Sequence, residues 1–167
     1  MAVELQGGRV RLRPVSDSDI AALAALAADP AVSHWWGDND EGDIRMEVSA
    51  PRASGWVVEV DGEPAGLVLA TEEPDPDYRS VELDIFIAAS QQGRGLGADA
   101  LRTALRHLFD ERGHHRALIG PAAGNSRAIR CYERVGFRPV GVMRQAERIS
   151  GEWRDVLVMD LLAGELR

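Results

Sequence analysis

The stretch QQGRGLGA, residues 91–98, constrains the fold more than any other part of the chain. It joins an apolar run, VELDIFIAAS, to a helix-like run, ADALRTALRHLFDERG. A glycine-rich turn between a strand and a helix leaves several backbone N–H groups unpaired and aimed at one point, with the positive end of the helix dipole behind them. Phosphate is the expected guest at such a turn. The alternative is an ordinary left-handed turn that caps the helix.

The glycine spacing narrows the kind of phosphate site. Gly93, Gly95 and Gly97 provide the backbone freedom that a close approach needs, and Arg94 adds a mobile positive charge. A Walker loop would end in Gly-Lys-Ser/Thr, and the chain contains no lysine. A dinucleotide-binding turn would follow the first strand of a repeated βαβ unit, with an acid about 20 residues further on, and neither context is present.

Length, charge and cysteine content indicate the class of protein. The 167 residues fit one domain, 1–167, with a single core. No apolar run approaches the ~20 residues of a membrane span, and the N-terminus lacks a signal-peptide pattern. A single cysteine, Cys131, excludes an internal disulfide, so we expect a cytoplasmic protein. The net charge of -8 disfavours nucleic acid and favours a cationic partner.

The periodicity of apolar residues predicts a mixed order of strands and helices. Strands are predicted at 9–15, 56–60, 65–71, 81–88, 117–120, 137–142 and 156–162. Helices are predicted from Ser16 to just before Asp29-Pro30, briefly at 43–48, from the glycine turn to Gly113, and at 125–135, with 32–42 irregular. Asp61-Gly62 marks a hairpin. This order predicts an α+β fold, a mostly antiparallel sheet with helices on its faces.

Two motifs together resemble the GCN5-related N-acetyltransferase (GNAT) family. They are Q-x-x-G-x-G and N-x-x-A-x-x-x-Y-x-x-x-G-F, present here as Gln92, Gly95 and Gly97, and as Asn125, Ala128, Tyr132, Gly136 and Phe137. The resemblance implies the GNAT fold, a central mostly antiparallel sheet of six to seven strands flanked by about four helices. It also implies acetyl-CoA as cofactor and no metal.

The same resemblance implies where acetyl-CoA binds. The pyrophosphate would lie on the turn 92–97, and the pantetheine arm would pair with the strand 81–88 as an added strand does. Ile87 stands where family members present a backbone amide to the thioester, and Asn125 where they hold the pantetheine. The implied cofactor-binding residues are Ile85, Phe86, Ile87, Gln92, Gly93, Arg94, Gly95, Leu96, Gly97, Ala98 and Asn125.

Tyr132 and its neighbour Cys131 receive different interpretations. The resemblance implies that Tyr132 is the general acid that protonates the leaving CoA thiolate. The alternative is a core tyrosine with its hydroxyl at the edge. Neighbours on a helix point about 100° apart, and no histidine is near enough in sequence to activate the thiol. Cys131 is therefore interpreted as buried filler.

The strand before the glycine turn carries the candidate base. In an alternating strand Glu82 and Asp84 share one face with Phe86, opposite the aliphatic residues at 83, 85 and 87. We expect the acidic face to line the substrate cleft. An amine with a pKa near ~10.4 must lose a proton before it attacks a thioester. Asp84 is the hypothesised base and ammonium ligand, with Glu82 as second candidate.

Four segments carry a narrower resemblance, to the aminoglycoside 6′-N-acetyltransferases. They are HWWGDND, VELDI, IRCYERVGFRPVG and GEWRDVLVMDLL. Those enzymes use an acid at the Asp84 position, so the resemblance implies acetylation of an antibiotic polyamine, a resistance-type activity. Members of the family often pair through the final strands or the N-terminal region, which makes a homodimer an expectation.

The remaining acceptor candidates are aromatic and acidic side chains. Trp35 and Trp36 either cover the acceptor by stacking and cation–π contact or plug the core. The loops that carry Asp38, Asp40, Glu41 and Asp43, and Glu72, Glu73, Asp75 and Asp77, either line the cleft or are simply solvated. Of the acids in the first loop, Asp38 is predicted to bind the acceptor. Asp155, before the final strand, is a weaker candidate for the same role.

Three other functions stay open from the sequence. A protein Nα-acetyltransferase of the ribosomal-protein type is also similar to the C-terminal half of the chain. A siderophore-type acyltransferase, which would prefer longer acyl donors, is a further alternative. A non-catalytic CoA-binding domain belongs to a different class. The presence of both Tyr132 and Asp84 argues against a pure binding module, which needs no paired acid and base.

Overall fold

An eight-stranded sheet forms the centre of the computed structural model, which describes residues 2–167. The strands are β1 (Leu5–Gln6), β2 (Arg11–Pro14), β3 (Ala53–Val60), β4 (Glu63–Glu73), β5 (Ser80–Ile87), β6 (Arg116–Ile119), β7 (Arg138–Ile149) and β8 (Glu152–Leu162). The helices are α1 (Ile20–Ala27), α2 (Pro30–Trp36), α3 (Glu41–Val48), α4 (Leu96–Arg106) and α5 (Ser126–Val135). The expected α+β class is confirmed, with one strand and one helix more than expected in this part of the chain.

The strand order is β1-β2-β3-β4-β5-β6-β8-β7, and only the β5–β6 pair is parallel. That pair is short, running from Val81 opposite Ala117 to Leu83 opposite Ile119. β5 continues to Ile87 after its partner has ended, while β4 still covers its other edge. The backbone of 84–87 therefore has an open edge on the β6 side, in the middle of the sheet.

Two hairpins use left-handed turn residues. Asp61 and Gly62, with φ of 52° and 82°, join β3 to β4 as the sequence predicts. Ser150 and Gly151, with φ of 50° and 81°, join β7 to β8. The sequence analysis made these last two strands too short. β7 is an edge strand with nearly all of its residues exposed, so its side chains show no apolar alternation.

The segment around the tryptophan pair is helical rather than irregular. The sequence analysis took Asp29-Pro30 only as the end of the first helix, and the same residues also begin α2. Asp29 Oδ1 accepts a hydrogen bond from the Ala31 N–H at 2.9 Å, and Pro30 occupies the first helical position, where its missing N–H costs nothing. Trp36 is consequently the last residue of a helix.

Buried side chains form one cluster on each face of the sheet. The larger contains Leu83 of β5 with Leu101 and Leu105 of α4, and the smaller contains Phe86 of β5 with residues of α1 and α3. The predicted alternation of β5 is confirmed by this division. Among residues 2–167 we find no helix with the length and apolar character needed to span a bilayer.

Candidate active site

A cleft of about 1250 Å³ opens where β5 and β6 part. Its walls come from the glycine turn, the end of β5, α5, the end of α2 and part of β7. Pockets for a single small ligand usually measure roughly 300–1,000 Å³. This cleft is therefore large enough to hold two substrates side by side.

The glycine turn forms one end of the cleft. Gly93 and Gly95 both have φ of 77°, the left-handed region in which an L side chain is strained, and α4 starts at the next residue, Leu96. The first turn of α4 has no intrahelical partners for its N–H groups, and its dipole adds positive charge. Gln92 Nε2 donates to the Ile87 carbonyl at 2.9 Å, which ties the turn to the end of β5.

An arginine that the sequence analysis missed reaches the turn from α5. Arg127 Nη1 donates to Gln92 Oε1 at 3.1 Å, and a Cβ added at Gly93 would stand 3.0 Å from Arg127 Nη2. Its position two residues after the motif asparagine, Asn125, was the available signal. With left-handed glycines, orphan N–H groups and a guanidinium at one point, these residues fit a diphosphate.

Two predicted cofactor residues lie outside this end of the cleft. Arg94 is exposed, and its Nη1 donates to Gln91 Oε1 rather than facing the cleft. Ala98 is 4% exposed and belongs to the larger core cluster, because the helical period turns it inward. The other predicted cofactor residues, Ile85, Phe86, Ile87, Gln92, Gly93, Gly95, Leu96, Gly97 and Asn125, all line the cleft.

Asn125 caps α5 and still has a free donor group. Its Oδ1 accepts from the Ala128 N–H at 3.2 Å. The side-chain NH₂ makes no hydrogen bond to another of the described residues, and Asn125 lines the cleft. An amide held by its oxygen in this way presents its nitrogen to a carbonyl acceptor, as an amide-containing arm would require.

Tyr132 lies in the wall opposite β5. The residue is 8% exposed, and its ring meets Phe137 edge-on with centroids 6.2 Å apart. Burial, and then the negative charge of Asp84, raise the pKa of the Tyr132 hydroxyl well above its usual value. The hydroxyl therefore keeps its proton over the neutral range and is able to donate it.

Cys131 also lines the cleft and is half-buried. Burial raises the pKa of its thiol, and the nearby Arg134 only partly opposes this. A thiol with a raised pKa is a poor nucleophile at neutral pH. This agrees with its interpretation as a filling residue, although it faces the cleft as well as the interior.

Asp84 lines the cleft from β5 and is held by two donors. Trp36 Nε1 donates to its Oδ2 at 2.9 Å, and the Ile85 N–H donates to its Oδ1 at 2.8 Å. The carboxylate is accessible from the cleft, but protein surrounds it on the other sides. This desolvation, with the charges of Glu147 and Glu82, raises the pKa of Asp84 to about 6, against the two hydrogen bonds.

Two further carboxylates line the same side of the cleft. Glu47 of α3 and Glu147 of β7 join Asp84 and Glu82 in its wall. Burial raises the pKa of both Glu47 and Glu147, with Asp84 adding to the effect at Glu47. Neither carboxylate has a salt bridge within residues 2–167. Neither was predicted from the sequence. For Glu47 the available signal was its i, i+3 spacing from Ile44, which is buried, because residues three apart share one face of a helix.

The predicted acidic loops serve the fold instead of the cleft. Asp40 and Asp43 form a reciprocal cap at the start of α3, with both N–H to carboxylate distances 3.0 Å. Glu72 pairs with Arg112 at 3.2 Å and with His114 at 2.7 Å. The loop acids at 38, 40, 41, 43, 72, 73, 75 and 77 are all absent from the cleft walls.

Asp38 and Asp155, both predicted to bind the acceptor, are therefore corrected in position. Asp38 lies exposed after the end of α2. Asp155 Oδ1 accepts from the Gln145 N–H at 2.9 Å, where β7 bulges and Gln145 has φ of 49°. Its carboxylate stabilises the hairpin and is not part of the cleft wall.

Both tryptophans of the pair line the cleft and also pack. Trp36 contacts Phe86, with ring centroids 4.7 Å apart, so it joins the smaller core cluster while its N–H faces Asp84. Trp35 lies under the Arg154 guanidinium, 5.8 Å from the ring centroid, with His34 on its edge. No group of three side chains suited to hold a metal ion is found in the part of the chain that the structure describes.

Comparison with known proteins agrees with the acetyltransferase resemblance of the two sequence motifs. A family model described as acetyltransferase (GNAT) domain matches residues 9–138. The chain is 27% identical over 154 residues to aminoglycoside N(6')-acetyltransferase type 1 of Klebsiella pneumoniae, covering 80% of this chain and 76% of that protein. It is 28% identical over 159 residues to spermidine N(1)-acetyltransferase of Escherichia coli K12, covering 90% of this chain and 84% of that protein.

A solved structure agrees in fold over almost the whole chain. It is that of Mycobacterium smegmatis RimJ in complex with CoA-disulfide, with a TM-score of 0.85 and 26% identity. The match covers 98% of this chain and 88% of that one. The two curated relatives differ in acceptor but are both N-acetyltransferases.

Proposed function

Since the chain belongs to the GNAT acetyltransferase family and is an acetyl-CoA-dependent N-acetyltransferase, we propose that it acetylates the 6′-amine of an aminoglycoside. The transfer is direct, with acetyl-CoA and acceptor bound together in one domain spanning 1–167. The observation that carries the proposal is that Asp84 and Tyr132 line one cleft, close enough for the charge of Asp84 to raise the pKa of Tyr132. A base for the amine and an acid for the thiolate are the two groups that such a transfer needs.

The donor end would be held by the glycine turn. Gly93, Gly95 and the first turn of α4 would bind the diphosphate, with Arg127 as its cationic partner. The open backbone edge of 84–87 would pair with the amides of the arm, and the free NH₂ of Asn125 would donate to a carbonyl of it. When bound, acetyl-CoA supplies the activated acetyl thioester.

The acceptor amine would bind beside Asp84. The carboxylate would attract the ammonium and take its proton, since a base with a pKa of about 6 is largely ionised at neutral pH. Glu82 is the second candidate, one alternation away on the same face of β5. Tyr132, still protonated, would give its proton to the departing sulfur.

The acceptor is proposed to be polycationic because several carboxylates cluster in the cleft wall. Arg127 of the cleft wall lies at the glycine turn, whereas four other lining residues, Glu47, Glu82, Asp84 and Glu147, are carboxylates close enough to influence one another. Aminoglycosides carry several ammonium groups on rigid rings, which suit a cluster of carboxylates. Trp35 also lines the cleft, with the Arg154 guanidinium over its ring. The identity with the Klebsiella pneumoniae enzyme supports this choice.

Spermidine is the second candidate acceptor. It is supported by the similar identity to the Escherichia coli spermidine enzyme and by the same carboxylates, which suit a flexible polyamine equally well. A peptide N-terminus has one ammonium and would leave Glu47 and Glu147 without partners. We therefore place protein Nα-acetylation behind both polyamines.

The test is a panel assay of CoA release from acetyl-CoA. Neomycin and paromomycin form a matched pair, because they differ in having an amine or a hydroxyl at the 6′ position. We expect turnover with neomycin and kanamycin and none at that position with paromomycin. Higher kcat/KM with spermidine than with any aminoglycoside would replace the proposed acceptor, and release of CoA only with peptides would overturn both polyamines.

A further inference from the structure

We propose that Trp36 is a positioning residue, whose indole N–H holds the Asp84 carboxylate in the orientation in which it accepts the proton of the acceptor amine. The proposal rests on the proposed role of Asp84 as base. It gives Trp36 a task beyond covering the acceptor. Three features support it: the fixed position of the indole ring, the remaining hydrogen-bond acceptor capacity of the Asp84 carboxylate, and the charges around that carboxylate.

The Trp36 side chain is held from two directions. Its ring packs on Phe86, at 4.7 Å between centroids, inside the smaller core cluster. Its backbone ends α2, where Asn39 Nδ2 donates to the Trp36 carbonyl at 2.9 Å and Gly37, with φ of 91°, turns the chain away. The indole nitrogen thus points at Asp84 from a rigid support rather than from a loop.

The two hydrogen bonds orient the carboxylate and leave it able to accept further hydrogen bonds. Oδ2 accepts from Trp36 at 2.9 Å and Oδ1 from the Ile85 N–H at 2.8 Å. A carboxylate oxygen accepts up to two hydrogen bonds, so each oxygen keeps a lone pair for the cleft. An indole N–H is a donor only, so it stabilises the ionised carboxylate more strongly than the protonated one.

The charges around Asp84 oppose its ionisation, and the Trp36 N–H counteracts them. Glu82 on the same strand, Glu47 on α3 and Glu147 on β7 all face the Asp84 region, and Tyr132 faces it from α5. The carboxylates and the desolvation favour protonated Asp84. Only the N–H groups of Trp36 and Ile85 oppose them directly, and that of Trp36 alone belongs to a side chain.

The experiment compares Trp36→Phe with the wild type over pH 5–9, with the acceptor that performs best in the panel. Phenylalanine keeps a ring against Phe86 and removes the N–H. We expect the acidic limb of kcat/KM to move up by about one pH unit, as the loss of one hydrogen bond to a charged group implies. Activity then falls roughly fivefold at pH 6 and returns to the wild-type value near pH 8.5. A loss of equal size at every pH, or an unmoved limb, would overturn the proposal.

A second measurement needs no turnover. The indole N–H resonance of Trp36, assigned by triple-resonance NMR of the wild-type protein, should shift with pH at the same midpoint as the acidic limb. Asp84→Asn should abolish that shift. An indole resonance that ignores pH in the wild type contradicts the proposal, and this readout decides even if Trp36→Phe fails to fold.

The controls separate this proposal from the one on which it rests. Trp153 is 59% exposed and lies outside the cleft, so Trp153→Phe should leave the acidic limb in place. An inactive Asp84→Asn with an unmoved limb in Trp36→Phe would remove Trp36 alone. An active Asp84→Asn would remove Asp84 as base and Trp36 with it, whereas a different preferred acceptor would change neither result.

Discussion

Gly66 lies against the carbonyl group of Phe86 on the neighbouring strand, so closely that no side chain fits between them. A Cβ at Gly66 would clash with that oxygen and would stand 3.1 Å from Cα of Ile87, its partner in the register of β4 and β5. The contact holds the end of β5 where the proposed thioester binds. The absence of a side chain at Gly66 therefore allows β4 and β5 to approach closely at the end of β5, which lines the cleft.

The first prediction follows from this contact. Gly66→Ala should push the end of β5 out of register, lower the free energy of unfolding by about 1–3 kcal/mol and weaken CoA binding about tenfold or more. Calorimetric titration with CoA and thermal unfolding measure both effects. Gly141→Ala is the matched control, since a Cβ there has nothing within 4 Å and should change neither quantity. Wild-type CoA affinity in Gly66→Ala would contradict the prediction.

The second prediction concerns the base. Asp84→Asn should lower kcat/KM by ~10²-fold or more. Because the base works only when ionised, wild-type kcat/KM should rise with pH through about 6, the pKa of Asp84, and level off above it. Glu82→Gln should cost much less and move the acidic limb slightly to lower pH, since the charge of Glu82 contributes to the raised pKa of Asp84. Normal turnover in Asp84→Asn would remove this residue from the mechanism.

The third prediction concerns the acid. Tyr132→Phe should lower kcat by ~10²-fold while leaving the Kd for CoA unchanged, since the hydroxyl acts on the leaving sulfur and not in binding. Burial keeps the pKa of Tyr132 above its usual value, so loss of its proton should not produce a fall in wild-type activity up to about pH 9. Steady-state kinetics and CoA titration separate the two quantities. An unaltered kcat would assign the proton to another donor.

The fourth prediction concerns Glu47 and Glu147, the carboxylates without salt bridges on the acceptor side. The double variant Glu47→Gln, Glu147→Gln should raise KM for acceptors with several amines roughly tenfold and leave KM for a monoamine nearly unchanged. Glu63→Gln, an exposed change outside the cleft, serves as control. Equal effects on polyamines and monoamines would show that the two carboxylates do not bind a second ammonium.

The fifth prediction concerns stability and pH at Asp19. Arg13 Nη2 lies 2.8 Å from its Oδ1, and the hydrogen bonds from Arg13, with those from Ser16, hold the pKa of Asp19 below its usual value. A carboxyl with a lowered folded-state pKa contributes stability above its unfolded pKa of ~3.9 and loses it as pH falls through the lowered value.

Asp19→Asn should therefore lower the free energy of unfolding by about 1–3 kcal/mol at pH 7. The difference from the wild type should shrink below pH ~4. Denaturant unfolding at pH 7 and at pH 3 checks both parts. A difference that grows toward acid pH would contradict the sign of the effect.

Much of the donor end could be predicted from the sequence because it depends on local chemistry. Left-handed positions at Gly93 and Gly95 need glycine, a strand must alternate, and Asn125 begins a helix, so short motifs carry the geometry. Arg94 and Ala98 were assigned by adjacency in the motif. Their actual directions follow from the helical period and from Gln91, which no motif encodes.

The acceptor end was harder to predict because tertiary contacts build it. Glu47 and Glu147 are about a hundred residues apart in the chain and come into one cleft wall only through the tertiary fold. The acidic loops were conspicuous in the sequence, but Asp40 caps a helix and Glu72 forms ion pairs. Asp29-Pro30 ends one helix and begins the next, and periodicity alone does not reveal that both occur.

The strand order has a consequence for how the protein is assembled. From β1 to β5 each strand pairs antiparallel with the one before it, through short connections except between β2 and β3, where residues 15–52 with α1, α2 and α3 intervene. β6 instead reaches β5 through the long crossover that contains α4, and it brings α5 behind it. Asp84 lies in the antiparallel part of the sheet, and Tyr132 follows the parallel crossover in the chain. A newly synthesised chain therefore has no complete reaction chamber until the segment beyond the crossover has docked against β5.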